Sequence, residues 1–317
     1  DTIMANVNHK EEELKKLLVS VDFKEDTYKD LTVQDVIILK NSAETMKEKN
    51  KDSAQNRNFF EKREEFFLHL LMRRMQQMNM LYCLFAKATN LPYVVCDPDS
   101  ANDQIWLFSD EKLAQKAAMI ELQNKRELFL VKLENKQFLS FYTGLYAMGV
   151  NAFVMDRGMN SVEVELEKLV KRPDFSKIPE AKRPLQNPEL VLTGAYFAQE
   201  RVMPEDKRDD ETLHDLEEEM LVNLVRGKVM IPIMVPEGKG TIDPKDMRVP
   251  YMKLKNGDMY QPVCADVTEF QRFNKDNKMR AIVVDFEKLK GTLAPNVKGI
   301  MLNPVTLRLA IPSSRIR

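Results

Sequence analysis

The sequence predicts an α+β fold: two related α/β units, each a small mixed sheet packed against helices, behind an N-terminal helical extension. Three observations carry that expectation. The 317 residues exceed one ordinary domain and suit two units that each bury a core. Apolar residues recur at three- and four-residue steps in some stretches and form short β-prone runs in others. Finally, the order hairpin, helix, buried strand, last strand runs from Leu91 to Glu163 and again from Val249 to Ile311. The expected divisions are 1–55 for the extension, 56–167 for the first unit, 168–204 for a linker and docking helix, and 205–317 for the second unit.

In the extension, Leu14, Leu17, Leu18 and Val21 keep helical spacing, and Thr32 is placed to cap a second helix carrying Val33, Val36, Ile37 and Met46. The polar run 47–57 reads as a frayed helix end or linker. A long amphipathic helix is expected over 58–81, with Phe60, Phe67, Leu71, Met75 and Met78 on one stripe. Its Met72, Met75, Met78 and Met80 suit either an adaptable partner face or plain core filling, and core filling is the reading adopted. Short strands follow at 84–86, 93–96 and 104–108, separated by the turn composition of residues 97–100. Ser109 or Asp110 caps a helix bearing Leu113, Ala117 and Ile120, and 128–133 reads as a buried strand. A helix over 138–148 then meets Gly149, which lets the chain turn into a strand at 150–155.

Prolines at 173, 179 and 184 in a Lys/Arg-rich stretch mark 168–183 as a connector, and the apolar run within 187–201 predicts a helix docked between the units. The stretch 205–219 holds nine carboxylates in fifteen residues and leads into Met220, Leu221, Leu224 and Val225. Acid at a helix start complements the macrodipole, and without the Asp/Asn/Gly alternation of a calcium loop this is a solvated face. After Gly227, a suitable C-cap, 229–235 begins the second sheet. Asn256-Gly257 between two β-prone runs predicts a hairpin, since the dipeptide tolerates positive φ at both centres. Asp266 or Thr268 caps a helix through Phe270 and Phe273, 281–286 is a buried strand, and Gly299 introduces the last strands. Set side by side, 91–93 answers 249–251, 105–108 answers 260–263, Leu113 answers Phe270, 128–133 answers 281–286, and Gly149-Val150 answers Gly299-Ile300.

The segment Cys264 to Phe270, with its Ala265-Asp266 helix start, and the segment Gly299 to Thr306, with Gly299, Asn303 and Pro304, resemble the N-terminal domain of the SseB family, named for enhanced serine sensitivity. The first unit departs from the pattern, having Asn151-Ala152-Phe153 where the second has Asn-Pro. The resemblance covers about two thirds of the chain if both units count and the last seventy residues on a strict reading. It implies a bacterial cytosolic protein in which these residues mark fold rather than chemistry, without established catalysis, here with two copies in tandem.

Composition limits the function classes. Apolar residues make up 44% and charged residues 31%, as in a folded soluble protein with a strongly charged surface. Forty-eight basic and forty-nine acidic residues leave a net charge of -1, which lacks the overall footprint of a nucleic-acid binder. No apolar run reaches the roughly 20 residues of a membrane span, and the first residues turn polar too soon for a signal peptide. Cys83, Cys96 and Cys264, an odd number without CxxC spacing, fit a reducing compartment, so a cytoplasmic location is expected.

Nothing in the sequence forms a reactive set. His9, His69 and His214 have no metal-ligand spacing, so neither metal nor cofactor is expected. Cys264 precedes a helix start, where a dipole lowers a thiol pKa, although a buried apolar filler is the reading adopted. Gly238-Lys239-Gly240-Thr241 lacks phosphate-loop spacing and reads as a hairpin loop. Tyr93, Trp106, Tyr251 and Tyr260, on corresponding hairpins, are with Cys264 the candidate binding residues; packing inside the core is the competing role for the aromatics. The expected function is therefore a non-enzymatic module that binds a protein or a small ligand. The alternatives are an enzyme with a Cys or carboxylate site between the units and a weak nucleic-acid binder using 168–183.

Overall fold

The computed structural model describes residues 2–236, 243–291 and 293–316. The N-terminal extension is helical: α1 (Thr2–Leu18), α2 (Val33–Lys49) and then the long α3 (Ala54–Gln77). Thr32 caps α2 as expected, in a reciprocal arrangement: its Oγ1 accepts from Asp35 N at 3.1 Å while Asp35 Oδ2 accepts from Thr32 N at 3.0 Å. The expected linker at 47–57 is only a tight turn, because Ser53 Oγ accepts from Asn56 N and starts α3 before residue 58. The same helix stops before residue 81, since Met80 and Leu81 enter a strand whose ladder runs its whole length. Phe67, Leu71, Met72 and Met75 are buried in the core.

The first sheet holds β1 (Met80–Ala86), β2 (Leu91–Pro92), β3 (Val95–Cys96) and β4 (Asp103–Phe108), then, after α4 (Glu111–Gln123), β5 (Leu128–Glu134), and, after α5 (Phe138–Ala147), β6 (Ala152–Met155) and β7 (Val162–Glu165). A connector leads to α6 (Pro188–Arg201) and α7 (Asp210–Val225). Next come β8 (Lys228–Met234), β9 (Met252–Lys253), β10 (Met259–Val263), α8 (Val267–Phe273), β11 (Met279–Asp285), α9 (Phe286–Leu289), β12 (Gly299–Leu302) and β13 (Leu309–Pro312). The architecture is α+β, with mixed sheets packed against helices. No helix among the described residues is long and apolar enough to cross a membrane. Gly238–Thr241 lies outside the described residues.

The described strands form a seven-stranded, a four-stranded and a two-stranded sheet, and pairings of the first recur in the other two. β1 pairs antiparallel with β5 along its length, and β8 does so with β11. β1 meets the end of β4 antiparallel, as β8 meets Cys264 after β10 through the Met230 bridge. β4–β6 and β10–β12 are parallel pairs, and β6–β7 and β12–β13 antiparallel ones. The best marker of equivalence is a buried residue with positive φ at the end of the third core strand. Asp156 (φ 59°) and Asn303 (φ 48°) send their backbone N–H to Leu107 O and Val263 O at 2.9 and 2.8 Å. Their side-chain Oδ1 atoms accept from the N–H of Ser109 and Ala265 at 2.7 and 2.8 Å, one residue before the caps of α4 and α8.

That marker corrects the residue matches. Asn303 answers Asp156, and Gly299 answers Ala152, because Gly299 pairs with Tyr260 as Ala152 pairs with Gln104. Gly149 turns at φ +79°, whereas Gly299 lies in extended strand backbone and is not a turn residue. The hairpin at Asn256-Gly257 forms, but only Gly257 has positive φ; Gly257 N donates to Leu254 O, giving a three-residue loop. The strands expected to be buried at 128–133 and 281–286 are instead half-exposed edge strands, each paired on one side only. Apolar composition alone does not separate an edge strand from a central one, because either packs one face.

One continuous hydrophobic cluster runs from Leu14 to Ile316 through the extension, all three sheets, α6 and α7. A satellite cluster of Leu84, Tyr93, Trp106, Phe108 and Val154 packs under α4.

Candidate functional site

The apolar run within 187–201 forms helix α6, which also makes polar contacts to both units. At its start Asn187 Nδ2 donates to Lys228 O and Ala265 O, both at 2.6 Å, tying it to the second sheet. Near its end the buried Gln199 amide clamps the backbone of Val94: Nε2 donates to Val94 O at 2.9 Å and Oε1 accepts from Val94 N at 3.1 Å. Tyr196 Oη donates to Asp103 Oδ1 at 2.6 Å. Gly194 lets the helix approach the second unit closely, since a Cβ there would lie 2.8 Å from Leu307 Cδ1.

Where the C-terminal end of α6 meets both units, a cavity of about 440 Å³ opens. The first unit supplies the loop after β1, Tyr93 and the turn from α4 into β5; α6 and the residues after it supply Gln199 to Met203; the second unit supplies Leu307 and Arg308. Its volume lies in the range of small-molecule sites, about 300–1,000 Å³. Tyr93, Leu128, Met203 and Leu307 make up the apolar wall. Arg126, also in the lining, donates to Gln199 O at 3.1 Å and pairs with Glu200 at 2.9 Å. Arg308 spans from the second unit to the first, where its guanidinium donates to Lys87 O at 3.1 Å. Burial raises the pKa of the Tyr93 phenol, against the opposing field of Arg126. Surrounding protein lowers that of Arg201.

Of the expected binding residues, only Tyr93 reaches this cavity. Trp106 stands behind it, buried, with its ring edge-on to Tyr93 at 5.2 Å between centroids and the Arg157 guanidinium 4.3 Å from its own. Tyr260 is buried in the second sheet and Tyr251 is exposed, so the four aromatics do not form one surface. Cys264 is fully buried, and burial together with Glu269 and Asp266 pushes its thiol pKa up, opposite to the expected dipole effect. His69 and His214 are exposed and form no hydrogen bond with it. Among the described residues no group of His, Cys, Asp and Glu is arranged to hold a metal ion.

Gly149, Asn303 and Gly299 hold close backbone approaches, and Asn256 and Gly257 shape a hairpin. In the basic connector Arg172 pairs with Glu167, and Arg183 donates to Ser176 O and Ile178 O. Sequence reasoning missed Arg126, Gln199, Arg201 and Arg308. They come from three segments, Gln199 and Arg201 sharing α6, and carry no local signal beyond a polar residue near the end of an element. Comparison with family models, with curated proteins and with solved structures gave no match.

Proposed function

We propose that the chain is a non-enzymatic binding module that takes a small molecule in the cavity between its two units. The observation that carries this reading is the assembly of the cavity: two α/β units and the helix joining them each contribute a wall. Ligand sites favour such junctions. The matching strand pairings support descent of the two units from one duplicated ancestor, and the buried contact of Ala265 with Asn303 supports a relation to the SseB N-terminal domain in which those residues serve packing. A bacterial, cytoplasmic protein belongs to the same reading, supported by three free cysteines.

The test is fluorescence titration of the full chain with the neutral dye N-phenyl-1-naphthylamine. One saturable site is expected, and Val202→Trp, a bulky change at the exposed rim, removes it. Failure of both this dye and an anionic analogue to bind saturably, or binding that survives Val202→Trp, rejects the cavity. Loss in Met119→Lys instead would move the binding surface to the exposed apolar residues of α4, Met119, Ile120 and Leu122.

A further inference from the structure

We infer that the ligand of this cavity is a free small molecule with an anionic head (carboxylate, sulfate or phosphate) on an apolar body, an assignment that rests on the cavity reading above. The walls carry five cationic side chains, Lys87, Lys125, Arg126, Arg201 and Arg308, against one carboxylate, Glu127. Two of the cations are neutralised within the fold, Lys87 by Glu127 at 3.0 Å and Arg126 by Glu200 at 2.9 Å. The other three are not. Arg308 contacts only the neutral carbonyls of Lys87 and Ala88, at 3.1 and 3.4 Å. Arg201 and Lys125 form no ion pair or side-chain hydrogen bond among the described residues.

Three uncompensated positive charges around one small concavity repel a cationic ligand and leave a neutral one without charge-assisted bonds. Guanidinium groups match the planar oxygen pairs of carboxylates and phosphates, so Arg201 and Arg308 suit the head. The same cavity is lined by Tyr93, Leu128, Met203 and Leu307, apolar side chains that an inorganic ion would leave unused. The ligand therefore has both parts. A nucleic-acid strand is a poor fit, because the uncompensated cations belong to a single concavity instead of tracking a backbone.

The experiment compares two dyes of similar body, 8-anilinonaphthalene-1-sulfonate and the neutral N-phenyl-1-naphthylamine. Arg201→Gln combined with Arg308→Gln is expected to weaken the sulfonate by about tenfold or more, the usual consequence of losing hydrogen bonds to a charged group, and to leave the neutral dye nearly unchanged. Arg201→Gln alone, which removes no hydrogen bond of the fold, repeats the effect in smaller measure should the double variant fold poorly. Equal binding of both dyes, or a sulfonate affinity unmoved by either variant, overturns the anionic assignment while the cavity reading stands. Failure of both dyes to bind overturns the cavity itself. Hexyl phosphate displacing the sulfonate dye supports a free ligand; displacement by phosphatidylserine vesicles but not by hexyl phosphate overturns that source.

Discussion

Gly299→Ala is expected to destabilise the second unit for want of space, with no contribution from backbone angle. Gly299 pairs with Tyr260 on one side of β12 and with Pro312 on the other. A Cβ at this position would lie 2.0 Å from the Ile311 carbonyl oxygen and 2.7 Å from Pro312 Cα. Carbon and oxygen sit comfortably at about 3.3 Å or more, so β13 would have to retreat by about 1 Å. Both clashing partners are backbone and cannot swing away. The adjacent ladder holds them, together with Ser313 N donating to Lys298 O at 2.8 Å. Overpacking against immovable atoms belongs at the upper end of its usual range, about 3 kcal/mol. At about 2 °C or more per kcal/mol for a chain of this size, the thermal midpoint should fall by about 6 °C, read by calorimetry or circular dichroism. Position 257 is the control: Gly257 has φ +89° and nothing within 4 Å of a built Cβ. There Ala costs about 1 kcal/mol and Asn less, because Asn tolerates the left-handed region. At 299 Asn should be no better than Ala. A Gly299→Ala midpoint unchanged from that of the parent chain, or rescue by Asn, would refute the steric argument.

Asp266, buried at the cap of α8, has its pKa pushed up to about 6, first by burial and also by Glu269. Between about pH 4 and 6 the folded state then holds a proton that the unfolded state has released, so this group's contribution to stability is lost as pH rises through that window. Asp266→Asn should therefore match the parent near pH 4 and be the more stable by roughly 2 kcal/mol at pH 7.5, provided Oδ1 still accepts from Glu269 N; urea melts at both values check the sign. Gln199→Ala leaves the buried Val94 N–H and C=O without their partner and should cost about 2–3 kcal/mol, read in the same melts. Asp156→Ala removes the acceptor for Ser109 N, Ser109 Oγ and Gln34 Nε2, each at 2.7 Å, and puts Ala at φ 59°. A loss of about 3 kcal/mol is expected from it, and a loss below 1 kcal/mol would deny its structural role. Of the three free thiols only Cys96 is exposed, so a disulfide reagent should modify one cysteine per native chain and three after unfolding.

The sequence by itself determined the elements whose causes are local. Thr32 and Asp266 cap helices with their side chains, Gly257 stands where a hairpin must turn, and the apolar stripe of Phe67, Leu71 and Met75 lies on the face that is buried. It also carried the order of elements common to the two units, though not their register: insertions of different length hid that Asn303 answers Asp156. Tertiary structure alone decided that the strands at 128–134 and 279–285 lie at edges, that Gly299 is required by a neighbouring strand, and that Tyr93 gains Arg126, Arg201 and Arg308 as companions. The reason is one of range. Capping, turn chemistry and periodicity act over a handful of residues and leave a trace in the chain, whereas a strand's neighbours and a cavity's walls are set by packing among segments as far as 221 residues apart, each of which looks ordinary alone.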